Sequence, residues 1–157
     1  LAAWRAAGLP ETIELPHIAA TADYPASFSR GAFVDAGEVL SRLGEAPGWL
    51  LDARAPERFR GEVEFLDAVA GHIPGAVNRP YAQNLREGRF KPSAELRAEL
   101  VPLLGGHAPD EVVLSCGSGV TACHLLLAME HAGLHGARVY AGSWSGWISD
   151  PSRPVER

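Results

Sequence analysis

The chain has 157 residues, 46% apolar and 21% charged, with a formal net charge of −5, which fits one globular domain with a substantial core. The acidic balance without a basic stripe argues against a general nucleic-acid surface, no run of eighteen apolar residues is present to span a membrane, and no secretory signal is visible in a chain that opens at Leu1. Two cysteines, Cys116 and Cys123, make no secreted disulfide framework and point to a reducing, cytoplasmic setting.

Residues 1–9 read as a helix that stops at Gly8 and Pro10. Residues 10–30 contain Pro10, Pro16 and Pro25 with little periodicity and read as a surface linker. Asp35 and Glu38 have the spacing of a capping box, and Val39, Leu40 and Leu43 give the following helix an apolar face. Residues 49–52 form a short buried strand, and Pro56 opens a helical turn through Phe59. Residues 71–78 are a turn entering a short strand. Ser93 caps a helix running to about Leu100. Then come a strand at 111–115, a helix at 119–132 closed by Gly133, a strand at 138–140 and a helical turn at 143–148. This alternation predicts an α/β domain: a parallel sheet of about five strands with helices on both faces. In such sheets ligands bind at the carboxyl ends of the strands, where both Asp52 and Cys116 fall. Residues 4–10 also echo residues 147–154, an aromatic followed by a short stretch and a proline, as if the chain opened with the tail of a preceding homologous domain.

Cys116 is the candidate nucleophile. It lies between the apolar run 112–114 and the helix-like segment after it, so its thiol stands at a helix N-terminus, where free N–H groups and the helix dipole favour an anion. Gly117 and Gly119 allow close backbone approach, successive N–H groups can form a nest, and the Ser118 and Thr121 hydroxyls can donate to sulfur. Such a site lowers a thiol's pKa, and the thiolate is the reactive form. Cys123, among Ala122, Leu125 and Leu126, reads instead as a small buried hydrophobe. A cysteine phosphatase needs C-x₅-R, and Ala122 stands at the arginine position. No C-x-x-C pair occurs. His17, His107, His124, His131 and His135 have no ligand spacing with the cysteines that points to a metal site.

At these residues the chain resembles a known family. The loop Cys116-Gly117-Ser118-Gly119-Val120-Thr121 is similar to the active-site loop of the 3-mercaptopyruvate sulfurtransferases, in the rhodanese superfamily. Asp52-Ala53-Arg54 with Arg58-Phe59-Arg60-Gly61 resembles the D-x-R…R-F-x-G segment of that family. The stretch from Gly71 through His72 to Asn78 matches G-H-I-P-G-A-x-N, and residues 140–147 match Y-x-G-S-W-S-x-W. Residues 1–10 resemble the end of a first domain in a two-domain protein. The resemblance therefore divides the chain at residue 30: the tail of a missing N-terminal rhodanese domain plus linker (1–30), then a catalytic rhodanese domain (31–157).

That resemblance implies ping-pong sulfur transfer through a Cys116 persulfide, with no cofactor and no metal. A small anionic sulfur donor gives its sulfur to Cys116, and cyanide, a thiol or thioredoxin accepts it. The loop N–H groups from Gly117 to Thr121 would hold the persulfide, and Ser118 the departing end of the donor. Arg58 matches the family's carboxylate-binding arginine, which otherwise would be solvated or paired with Glu57 or Glu62. Some relatives carry a second such arginine before G-H-I-P-G, and residues 62–70 contain none. Asp52, Arg54 and His72 are expected to organise the sheet edge and the turn, and Trp144 and Trp147 to pack beneath the loop. Thiosulfate-preferring relatives have C-R-K-G-V-T; the neutral Gly117-Ser118 favours the monoanion mercaptopyruvate. The alternatives are a thiosulfate-preferring enzyme or a non-catalytic interaction or sulfur-sensing module of the same fold.

Overall fold

In the computed structural model, which describes residues 1–15, 27 and 30–157, helix α1 (Ala2–Ala6) runs out before Gly8, whose φ of +66° stops it. The Trp4 indole N–H donates to the Pro10 carbonyl at 3.0 Å, and Arg5 pairs with Glu11 at 2.8 Å. Residues 16–26, 28 and 29 of the expected linker, with Pro16, His17 and Pro25, lie outside the described residues.

Strand β1 (Phe33–Val34) has only two residues, too few for a period to register, and is absent from the sequence reading. Asp35 does cap α2 (Ala36–Ser41): its Oδ1 accepts the Glu38 N–H at 2.9 Å. The Glu38 carboxylate turns instead to Arg138 at 2.7 Å, so only half of the capping box forms. Strand β2 (Leu50–Asp52), helix α3 (Pro56–Phe59) and strand β3 (Val77–Asn78) occur as expected. A hairpin of β4 (Leu85–Arg86) and β5 (Arg89–Phe90) turns on Glu87 and Gly88, both at positive φ; Glu-Gly is a weak turn signal compared with Asn-Gly. In α4 (Ser93–Leu100), Ser93 is not the cap but the first helical residue, after Pro92, and makes no capping bond. Residue 111 belongs to a short 3₁₀ turn (Pro109–Glu111), so β6 is shorter than expected (Val113–Ser115). Helix α5 (Val120–His131), strand β7 (Arg138–Tyr140) and helix α6 (Ser143–Ile148) complete the chain.

The sheet has the order β1-β7-β6-β2-β3, and every pairing is parallel. Successive side chains of a strand point to opposite faces, and both faces here are buried. Leu51, Leu114 and Val139 join Leu96 and Leu100 of α4 and Leu125 and Met129 of α5. Leu50, Val113 and Tyr140 join Val39 of α2 and Trp144 and Trp147 of α6. This is the α/β architecture with helices on both faces. Trp49, Trp144 and Trp147 are fully buried, and each removes roughly 150–250 Å² from water, about 4–6 kcal/mol of transfer free energy. Among the described residues no helix is long and apolar enough to cross a membrane.

The register of the two central strands positions the site. Asp52 lies directly beside Ser115, so β2 and β6 end level and the segments after them share one edge of the sheet.

Candidate active site

Cys116 leaves the end of β6, and its loop is fastened by α6. The N–H groups of Trp144 and Ser145 donate to the Cys116 and Gly117 carbonyls, both at 2.9 Å. The Ser143 hydroxyl accepts the Cys116 N–H at 3.1 Å and stands 2.9 Å from the Tyr140 carbonyl and 3.9 Å from Cys116 Sγ. A hydroxyl has one proton, and the carbonyl is the nearer and stronger acceptor, so Ser143 serves mainly to hold the loop. Ser143 is fully buried with φ of 50°, uncommon for a residue with a side chain.

The sulfur itself sits in a ring of donors. The Gly119 N–H points at Sγ from 3.1 Å. Burial is the largest influence on the thiol and opposes ionisation. Against it act chiefly the Thr121 hydroxyl and the Ala122 and Ser118 N–H groups, and they bring the thiol below its ordinary pKa. Ser118 thus contributes its backbone N–H to the sulfur, while its exposed side chain lines the pocket. Gly119, with φ of +90°, is the residue before α5; an added Cβ would stand 2.9 Å from the Ala141 carbonyl oxygen.

The thiol opens onto a cavity of about 360 Å³ lined by Arg54, Arg58, Leu66, Asp67, Tyr81, the segment 116–118, Val120, Thr121 and Ser145. The Arg58 guanidinium faces Gly117, 3.6 Å from where a Cβ would lie. Its carboxylate partners are neither Glu57 nor Glu62, the pairing that stood as the alternative to substrate binding. Glu62 pairs with Arg60 at 2.7 Å. Arg58 instead binds Glu64 (Nη2 to Oε1 2.8 Å, Nε to Oε2 3.1 Å) and Asp67 (Nη2 to Oδ2 3.1 Å), with the exposed Phe65 ring beside it at 5.4 Å.

Asp52 and Arg54 form a buried pair. Arg54 Nη2 reaches Asp52 Oδ2 at 2.7 Å and the Gly71 carbonyl at 2.8 Å, while Nε contacts both Asp52 oxygens. Asp52 is wholly engaged there and does not line the cavity; Arg54 does. Arg54 Nη1 is buried without a hydrogen bond, 3.8 Å from Glu64 and with the guanidinium 4.9 Å from the Trp144 ring centroid. His72 stays out of the cavity. Its Nδ1 lies 2.8 Å from the Phe59 carbonyl, which can only accept, so that nitrogen carries the proton. Its ring stacks on Phe59 at 3.8 Å, and its backbone bridges to Glu156. Gly71 makes this approach possible: a Cβ there would fall 2.3 Å from the Glu156 carbonyl oxygen. Trp144 is buried, and its Nε1 donates to the Val69 carbonyl at 2.9 Å.

Cys123 corrects the sequence reading. It is exposed, because α5 buries Ala122, Leu125, Ala128 and Met129, and that spacing turns position 123 to the outer side with Leu127. Among the described residues, no group of three or more His, Cys, Asp or Glu side chains is arranged to hold a metal ion. Ser143, Glu64, Asp67, Tyr81 and Ser145 were not singled out from sequence. The available signal is the three carboxylates in residues 62–70, Glu62, Glu64 and Asp67, close after Arg58.

A rhodanese-like domain matches residues 35–150. The chain is 49% identical over 156 residues to a probable 3-mercaptopyruvate sulfurtransferase of Pseudomonas aeruginosa, covering 99% of this chain and 55% of that protein. It is 34% identical over 148 residues to the thiosulfate sulfurtransferase of Rattus norvegicus, covering 92% of this chain and 50% of that one. The crystal structure of SseA from Escherichia coli, a 3-mercaptopyruvate sulfotransferase, superposes with a TM-score of 0.69 at 36% identity, covering 92% of this chain and 53% of the other. The chain thus spans about half the length of the curated relatives it matches.

Proposed function

The chain belongs to the rhodanese-like family, and from that premise we propose that it is a sulfurtransferase domain that carries sulfane sulfur on Cys116. The observation that supports this most directly is the Cys116 thiol, ringed by the Gly119 N–H and the Thr121 hydroxyl, opening on a cavity that also holds Arg58. Residues 31–157 are the catalytic unit in this reading. The first thirty residues are the tail of a preceding domain and a linker, which fits the half-length match to the relatives. A reducing, cytoplasmic compartment suits a chemistry that needs a free thiol.

The preferred donor is 3-mercaptopyruvate. The Cys116 thiolate attacks the donor's thiol sulfur; an S–S bond forms and the donor's C–S bond breaks. The bonding pair leaves on carbon as the pyruvate enolate, which takes up a proton, and Cys116 is left as a hydropersulfide that ionises. The N–H groups around Sγ stabilise the persulfide anion as they do the thiolate. The Ser118 hydroxyl reaches the donor's carbonyl end. In the second half, cyanide, a thiolate or thioredoxin attacks the outer sulfur, and Cys116 leaves as the thiolate that began the cycle. Neutral Gly117-Ser118, together with an Arg58 already facing two carboxylates, favours a monoanion over the thiosulfate dianion.

Sulfur transfer to cyanide from each donor, with Cys116→Ser as the control, tests the reading. Faster turnover with mercaptopyruvate than with thiosulfate, abolished in the control, is the expected result. A thiosulfate preference would overturn the donor assignment, and no turnover with either would favour a non-catalytic module.

A further inference from the structure

Arg58 is held by two carboxylates, and they are held in different ways. Glu64 is built in. Its Oε1 accepts the N–H groups of Phe65 at 3.0 Å, Leu66 at 2.9 Å and Asp67 at 3.2 Å, besides the Arg58 contacts. Burial works against its charge, yet Arg58 and the Leu66 and Asp67 N–H groups keep its carboxyl below the usual range. Glu64 does not line the cavity. Asp67 does, beside Cys116 and Arg58. Two side-chain contacts hold the Asp67 carboxylate: Arg58 Nη2 at 3.1 Å and the Ser145 hydroxyl at 2.6 Å. Both partners line the same cavity. The connected charges are Arg54 and Arg58 against Asp52, Glu64 and Asp67, which leaves one negative charge unbalanced before any thiolate forms.

We propose that Asp67 is a specificity-determining residue: an internal carboxylate that occupies Arg58 and yields it to the carboxylate of an incoming donor, while its charge turns away dianions. The donor's identity rests on the sulfur-transfer reading; the occupancy of Arg58 by Asp67 does not. Glu64 cannot yield without abandoning three N–H groups. Asp67 can, because it gives up one contact and keeps the Ser145 hydroxyl. An incoming carboxylate therefore meets a competitor of its own kind at Nη2 and repulsion from it afterwards. At separations of several ångströms that repulsion weakens a monoanion on the order of tenfold, and a dianion by more.

The test uses pyruvate as a non-reacting carboxylate and sulfate as a non-reacting dianion, titrated calorimetrically into this chain carrying Cys116→Ser. Asp67→Asn keeps the acceptor for Ser145 and removes the charge. It is expected to tighten pyruvate binding about tenfold and sulfate binding by more. With Cys116 intact, kcat/KM for mercaptopyruvate rises, and the gain falls in KM. Arg58→Gln moves pyruvate binding the opposite way. Asp67→Ser serves the same purpose if the Asn variant melts early. Unchanged, weaker or undetectable pyruvate binding in a folded Asp67 variant overturns the proposal. If pyruvate binding tightens but the Cys116 protein gains no sulfur from mercaptopyruvate, the sulfur-transfer reading fails and the role of Asp67 stands.

Discussion

The two glycines beside Cys116 make opposite demands, and replacing each by alanine separates them. Gly119 sits at φ +90° and ψ −18°, in left-handed backbone that disfavours an L-residue by ~1–2 kcal/mol. A Cβ there would stand 2.9 Å from the Ala141 carbonyl oxygen, which is backbone and cannot swing aside. Relief requires movement of the Gly119 N–H, the group that donates to Cys116 Sγ at 3.1 Å. Gly119→Ala is therefore expected to lose about 2–3 kcal/mol of stability. At ~2–4 °C per kcal/mol it melts roughly 5–10 °C lower. A hydrogen bond to a charged group contributes about 1.5–3 kcal/mol, so losing this one slows thiolate alkylation near neutral pH on the order of tenfold. Gly117 has no left-handed backbone, and a Cβ there meets only Arg58 nitrogens at 3.6 and 3.8 Å, ordinary contact. Gly117→Ala is expected to melt within about 2 °C of the parent. Thermal unfolding followed by circular dichroism, with iodoacetamide rates in a Cys123→Ser background, reads both effects on a single thiol. Equal melting temperatures for the two variants, or a parental alkylation rate in Gly119→Ala, would refute the geometry argued for the loop.

The same contacts predict two further outcomes. The Cys116 thiol titrates below its ordinary value, although burial opposes this, because the Thr121 hydroxyl and the loop donors favour the anion. The resulting stabilisation is present above the unfolded thiol's pKa and is lost as pH falls through the lower folded value. Thr121→Val is expected to move the midpoint of the alkylation rate toward higher pH; a profile identical to the parent's would remove Thr121 from the account. Asp52→Asn removes the charge partner of Arg54, and the two side chains are only 3% and 1% exposed. The expected loss is about 3–5 kcal/mol, read as a lower urea midpoint at unchanged slope. A loss under about 1 kcal/mol would mean that Glu64 and the Trp144 ring suffice for Arg54.

The central strands and α5 were readable because their apolar runs are long enough to show a period or continuous burial. β1 was not, since two residues carry no pattern, and neither was the hairpin on Glu87-Gly88. Cys123 is hard to place from sequence for a related reason: α5 is apolar on more than one side, and its outward residues include Val120 and Leu127. At the site, Cys116, Gly119 and Thr121 were legible because local chain order alone places a thiol before a helix. Ser143 approaches from 27 positions away, and that meeting depends on β7 pairing with β6. The partners of Arg58 come from an irregular segment, where Glu57, Glu62, Glu64 and Asp67 were all near enough in sequence. The backbone N–H groups that fix Glu64 and the Ser145 hydroxyl that holds Asp67 decide among them.

The central claim is that Cys116 carries the transferred sulfur. Mass analysis of the protein and its peptides after treatment with 3-mercaptopyruvate tests it most directly. The account predicts a gain of one sulfur atom on the peptide containing Cys116, removed by cyanide with release of thiocyanate, and no gain in Cys116→Ser. A folded protein that gains no sulfur, or gains it at the exposed Cys123 instead, would contradict it.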